Sequence, residues 1–163
     1  MEFLVSRGEM MHGDPMSAEE AELLELAEYL INVHLSPLVR VVAIGQQVEA
    51  DGIRVELIAL EVREAGAVLY WRAFATDDRI LGLAVIEVSD DIGGEYRVFL
   101  GGGGGGERAW NGETNVVPAP TTGASMLRVQ VTGFEGFPPS GFPGAAQVRA
   151  NEGPWVFEIP LAG

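Results

Sequence analysis

Residues 51–63 read Asp51-Gly52-Ile53-Arg54-Val55-Glu56-Leu57-Ile58-Ala59-Leu60-Glu61-Val62-Arg63. Asp-Gly is a hairpin signal, because both residues tolerate the positive φ that a two-residue turn demands. Apolar and polar residues then alternate from Ile53 to Leu57, the period-two pattern of a strand with one face on a core. At Ile58 the phase slips: Ile58, Leu60 and Val62 are apolar, with Glu61 and Arg63 between them. A one-residue slip inside a continuous strand marks a β-bulge, or a strand passing between two sheets. The expectation is that Ile53, Val55 and Leu57, then Ile58, Leu60 and Val62, face the core.

The same period extends in both directions. Val39, Val41 and Ala43 open a strand that runs to about Glu49. Ala67–Ala75 is apolar at nearly every position except Arg72, as befits a central strand, and carries Trp71. Further strands are read at 80–89, 96–100, 110–117, 127–132 and 155–161, with turn residues between most of them. No helical period separates them, so a parallel βαβ sheet is excluded. The pattern predicts an all-β fold, an antiparallel sandwich of about 7–9 strands, with a closed barrel as the runner-up.

The N-terminal part differs. Residues 1–16 show no periodicity and read as a flexible tail. Ser17-Ala18-Glu19-Glu20 is a capping box, and Glu19, Glu20 and Glu22 suit the positive end of a helix dipole. Leu23, Leu26, Ala27, Leu30 and Val33 fall on one helical face, and Pro37 ends the helix. The division is therefore a tail (1–16), an amphipathic helix (17–36) and a β-sandwich domain (37–163). The stripe is expected to pack on the β domain, with self-association through the helix as the sharper alternative.

Formal charge is −14, from 24 acids against 10 Arg. Half of that excess sits before residue 37, where eight acids face Arg7 alone. So acidic a surface repels nucleic-acid phosphates and anionic membranes, which argues against polynucleotide binding. There is no Lys and no Cys, and the two histidines are His12 and His34. Schiff-base chemistry, a phosphate-loop lysine and a zinc site thus lack their residues, and neither imidazole has an obvious nucleophile beside it. No apolar run reaches membrane-spanning length and the start has no signal-peptide pattern, so the expectation is a cytoplasmic protein with no direct membrane insertion.

Four features invite a functional reading. Asp77, Asp78, Asp90 and Asp91 are paired carboxylates in turns, the hard oxygen ligands that calcium prefers. The competing account is turn chemistry, in which Asp accepts from local N–H groups and Gly supplies positive φ. Gly101–Gly106 lacks the Lys-Ser/Thr and following helix of a phosphate loop, and reads as a flexible hairpin tip. The stretch 133–150 holds Gly-Phe three times, and Phe134, Phe137 and Phe142 either form an interaction loop or cap the core. Finally, Glu56, Glu61, Glu87, Glu95 and Glu158 alternate on strands, as a solvated sheet face requires, which disfavours a glycosidase carboxylate pair.

The stretch Gln46–Tyr96 combines the Asp51-Gly52 hairpin, the strand with a phase break and the run Asp90-Asp91-Ile92-Gly93-Gly94-Glu95-Tyr96. A proline-bearing strand and Leu127-Arg128-Val129-Gln130-Val131 follow. This layout, over about residues 38–161, resembles bacterial immunoglobulin-like sandwich domains of unknown function, of the actinobacterial type. Related modules occur in extracellular lipoproteins and membrane-anchored regulators, although this chain shows no lipoprotein or transmembrane segment. The resemblance implies a non-enzymatic module that mediates protein–protein contact or self-association and carries no catalytic residue. A calcium-stabilised adhesion module or a carbohydrate-binding sandwich is the alternative.

Overall fold

The computed structural model describes residues 15–76, 81, 83–106, 108–135 and 155–161. Its elements are a helix α1 (Ala18–Leu35) and eight strands: β1 (Leu38–Ala50), β2 (Ile53–Arg63), β3 (Ala67–Ala75), β4 (Leu83–Asp90), β5 (Arg97–Gly105), β6 (Ala109–Val117), β7 (Met126–Glu135) and β8 (Trp155–Pro160). They form two antiparallel sheets, one ordered β1-β2-β3-β6-β5 and the other β4-β7-β8. The described residues are thus all-β apart from α1.

The sheets face each other across one apolar cluster. It contains Ile53, Val55, Leu57, Leu60, Leu69 and Trp71 from the larger sheet and Ile86, Leu127, Val129, Trp155, Phe157 and Ile159 from the smaller. Two indoles occupy its middle and each finds a polar partner, as a buried N–H requires. Trp71 Nε1 donates to Thr114 Oγ1 at 2.9 Å, and Trp155 Nε1 crosses between sheets to the Ile53 carbonyl at 2.9 Å. Along one side, β1 reaches the edge of β8: Arg40 Nη1 donates to the Leu161 carbonyl and Gln46 Nε2 to the Glu158 carbonyl. These two side chains satisfy carbonyls that an unpaired edge strand leaves open.

The phase break in β2 is a bulge. Leu57 pairs with Trp71 and Ala59 with Tyr70, so Ile58 has no counterpart on β3. On the other flank β1 answers with an irregularity between Ala43 and Gln46, where Gly45 takes φ +63°. The buried positions are Ile53, Val55 and Leu57, then Leu60 and Val62. Ile58 is the extra residue itself and is 44% exposed, contrary to its expected inward placement.

The glycine run also departs from expectation. Gly101–Gly105 is not a hairpin tip but the second half of β5, with Gly103, Gly104 and Gly105 opposite Gly112, Asn111 and Trp110. A Cβ on Gly103 would lie 2.7 Å from Trp110 Nε1, and one on Gly101 2.8 Å from Asn115 Nδ2. Larger residues at these two positions would displace side chains of β6, whereas Gly102 and Gly104 face open space.

Helix α1 has the expected start. Ser17 Oγ accepts from Glu20 N at 3.1 Å and Glu20 Oε2 accepts from Ser17 N at 2.9 Å. It meets the larger sheet at two points along its length: Val33 near its C-terminus is buried, close beside Gly66, and Glu25 lies 3.4 Å from Arg97 of β5. Leu23, from the predicted stripe, is instead 59% exposed. No helix among the described residues is long and apolar enough to cross a membrane.

Candidate functional site

The run Asp90-Asp91-Ile92-Gly93-Gly94-Glu95-Tyr96 closes one end of the molecule, where β4 leads into β5. Asp90 Oδ1 accepts from Ile92 N at 2.9 Å and from Gly94 N at 2.7 Å. Its Oδ2 accepts from the Tyr96 hydroxyl at 2.7 Å. That hydroxyl in turn accepts from Thr121 N at 2.9 Å, which fastens the loop between β6 and β7. Asp91 reaches the start of β7: it accepts from Ser125 N at 3.0 Å, from Met126 N at 3.3 Å and from Ser125 Oγ. Gly93 takes φ +84°, and a Cβ on Gly94 would fall on Asp90 Oδ2. Asp90, Asp91, Gly93, Gly94 and Tyr96 of this motif therefore each have a conformational reason.

Electrostatics follow from these contacts. The Tyr96 hydroxyl, with backbone N–H groups behind it, holds the Asp90 carboxyl down at about 2. The Ser125 hydroxyl lowers Asp91 in the same way. Partial burial pushes Tyr96 up.

For the calcium expectation this matters directly. Asp90 and Asp91 turn their oxygens toward N–H and O–H donors, and a cation would have to displace those donors. Among the described residues no group of three or more His, Cys, Asp or Glu is placed to hold a metal. Asp77 and Asp78, the other two residues of that expectation, lie outside the described residues.

Of the expected interaction loop, Phe134 is a correction. It belongs to β7, is 2% exposed and packs edge-on against Trp155, with ring centroids 5.4 Å apart and planes at 75°. The cause is a second bulge. Val85 pairs with Gly133 and Ile86 with Val131, so Thr132 is the extra residue and the inward phase jumps from Val131 to Phe134. Phe137 and Phe142 lie outside the described residues.

Several large apolar side chains are exposed around the junction of α1 and β1. Leu35 at the end of α1 is 79% exposed, and Leu38, Val39 and Val41 at the start of β1 are 52%, 59% and 58% exposed. Leu23 and Leu24 add to them on α1. The sequence carried a signal for this surface, since Leu38, Val39, Val41 and Val42 place apolar residues on both faces of one strand. A strand at a sheet edge with a single buried face needs only half of them.

The outward face of the larger sheet is polar. Arg72 Nε donates to Asn111 Oδ1 at 2.8 Å, Arg54 lies over Phe74 at 4.7 Å, and the Tyr70 hydroxyl is 3.3 Å from Glu61 Oε2. Arg63 pairs with Glu61 and Arg54 with Glu56. A groove of about 510 Å³ crosses this face between the Ile58 bulge and the glycine half of β5, with Tyr70, Arg72, Asn111 and Glu113 along it. Spacing alone did not reveal it, because it exists only where the bulge of β2 and the bare glycines of β5 flank the same strands.

No protein-family model matches the chain, and no curated protein matches it. Among solved structures it is similar to the conserved domain protein from Bacillus anthracis, at 16% identity and a TM-score of 0.55. The match covers 77% of this chain and 49% of that one, so the chain spans about half the length of its structural neighbour. At that identity the likeness concerns the fold alone.

Proposed function

We propose that this chain is a non-enzymatic interaction module of immunoglobulin-like architecture. The observation that carries this reading is the run of exposed Leu35, Leu38, Val39 and Val41 at the junction of α1 and β1. Isolated surface apolar residues need no explanation, but four exposed within seven consecutive positions concentrate apolar surface at this junction, of the kind that partners cover. What supports the immunoglobulin-like part of this reading is a pair of facing antiparallel sheets with a buried Trp71 on the third strand. The strand partition is the chain's own. An immunoglobulin constant domain divides as A-B-E-D and C-F-G, whereas here the first three strands share a sheet with β6 and β5.

The test is a triple variant, Leu38→Ser, Val39→Thr and Val41→Thr, which keeps strand-forming residues at the two valines. Sedimentation velocity over a wide concentration range, and capture of partners from a lysate, are compared with the parent protein. The reading expects self-association or a captured partner that the triple variant loses at unchanged melting temperature. It is sunk if the parent stays monomeric and both proteins capture the same set.

A further inference from the structure

A second surface, separate from the apolar patch, has features that specify its occupant. β5 ends the larger sheet, and its Gly101–Gly105 half is exposed along its length. An edge strand offers a row of unpaired N–H and C=O groups, and folded proteins ordinarily blunt such edges with charges, prolines or bulges. β5 has one register shift, between Leu100 and Gly103, and beyond it Gly103, Gly104 and Gly105 run in regular pairing with β6. From Gly101 to Gly106 this edge carries no side chain at all. The isolated bridge between Ser89 and Glu95 ties β4 to the chain just before β5, away from the glycines.

The groove continues from that edge. Gly102, Gly103 and Gly104 form one margin of it, and Asn111 and Glu113 of β6 lie immediately behind. Glu113 has no ion-pair partner among the described residues, whereas Glu56 and Glu61 on the same face are paired with Arg54 and Arg63. Arg72, the one cation among the described residues along the groove, is held by Asn111 and lies beside Phe74. Beneath the edge, Asn115 is wholly buried with both amide atoms unpartnered, and its Nδ2 is directed at Gly101.

We propose that the glycine edge of β5 takes up an extended basic peptide as an added strand. Main-chain hydrogen bonds to Gly101–Gly105 would supply the pairing, and alternate side chains would lie over the bare glycines. Strands are spaced ~4.8 Å apart, so the added strand would stand roughly 10 Å from β6. A Lys or Arg side chain spans that gap to Glu113 only because no side chain of β5 stands between. The net charge of −14 favours the same cationic partner over an anionic one.

The probe is a capped synthetic peptide alternating Lys and Val, with a Glu–Val peptide as its counterpart. Binding is followed by fluorescence anisotropy, and backbone amide exchange locates the site. The expected result is saturable binding of the Lys–Val peptide, weaker at high salt, with slowed exchange at Gly101–Gly105. Gly104→Lys fills open space in the folded protein, so its melting temperature should hold while binding weakens by about tenfold or more through like-charge contact. Gly104→Ala should bind as the parent does, and Glu113→Gln should reduce both affinity and salt dependence. Three results overturn the proposal: no binding, equal binding of the Glu–Val peptide, or protection at the α1–β1 junction instead of β5. Concentration-dependent protection of the same glycines without peptide would assign the edge to a second copy of the chain and overturn the peptide as occupant. Because the apolar patch is not touched by these variants, failure here leaves the triple-variant test independent.

Discussion

Replacing Phe134 with Ala separates the two meanings that a phenylalanine beside a long loop can have. In the structure its ring is 2% exposed and stands edge-on to Trp155. A phenylalanine so buried removes roughly 150–200 Å² from water, which at ~25 cal/mol/Å² amounts to about 4–5 kcal/mol. The alanine methyl retains about 1 kcal/mol of this, leaving a loss of about 3–4 kcal/mol, within the ~3–5 kcal/mol found for buried Phe→Ala changes. With a urea m-value of ~2 kcal/mol/M, the unfolding midpoint should fall by about 1.5–2 M. Ile58→Ser is the control, since Ile58 is the exposed bulge residue and a surface change of this kind should stay within ~0.5 kcal/mol. A midpoint for Phe134→Ala within error of the parent would refute the placement of Phe134 in the core. It would return that ring to the surface and invalidate the bulge at Thr132 that turns it inward.

Three other outcomes follow from the glycines and from the clasp that Asp90 and Asp91 form with Tyr96 and Ser125. The Asp90 carboxyl is depressed to about 2 in the folded protein from 3.8, chiefly by the Tyr96 hydroxyl. Its contribution is therefore complete above pH 4 and lost as pH falls from about 4 to about 2, a dependence that Asp90→Asn should flatten in acid melting curves. Millimolar CaCl2 against EDTA should leave the melting temperature of the parent unchanged, because Asp90 and Asp91 face hydrogen-bond donors; a large rise abolished by Asp90→Asn would overturn the clasp. Gly112→Ala should cost about 1–3 kcal/mol in urea unfolding, since the new Cβ would enter the ring of buried Trp71, while Gly104→Ala should be near neutral.

Much of the β architecture was legible because alternation is a direct image of a half-buried sheet. β3 spans Ala67–Ala75 as read, and the helix cap at Ser17 is closed by the predicted Glu20. The bulge in β2 was visible as a slip of phase, yet which residue is extra was not. Sequence shows that one position too many is present, and only pairing with β3 decides that Ile58 is the one left over. The same limit left Phe134 open between an interaction loop and a core cap, because Val131-Thr132-Gly133-Phe134 gives no clean alternation to slip from. The glycine run was misread for a different reason. Composition favours flexibility, but pairing with β6 and the bulk of Trp110 and Asn115 make small residues in an ordered strand a steric requirement at Gly101 and Gly103.

That contrast also bears on the two surfaces. Glycine at Gly101, Gly103 and Gly105 is explained by crowding from β6, so those positions imply nothing about a ligand. Gly102 and Gly104 are different: a Cβ there meets nothing within 4 Å, and folding places no demand on them. Ordinary edge strands put a charged or branched residue at such open positions, which discourages pairing with other chains. Leaving both bare forgoes that protection and keeps the path to Glu113 and Asn111 clear. Substituting Gly102 and Gly104 thus probes recognition with little effect on the fold, whereas substituting Gly103 or Gly105 probes the fold first.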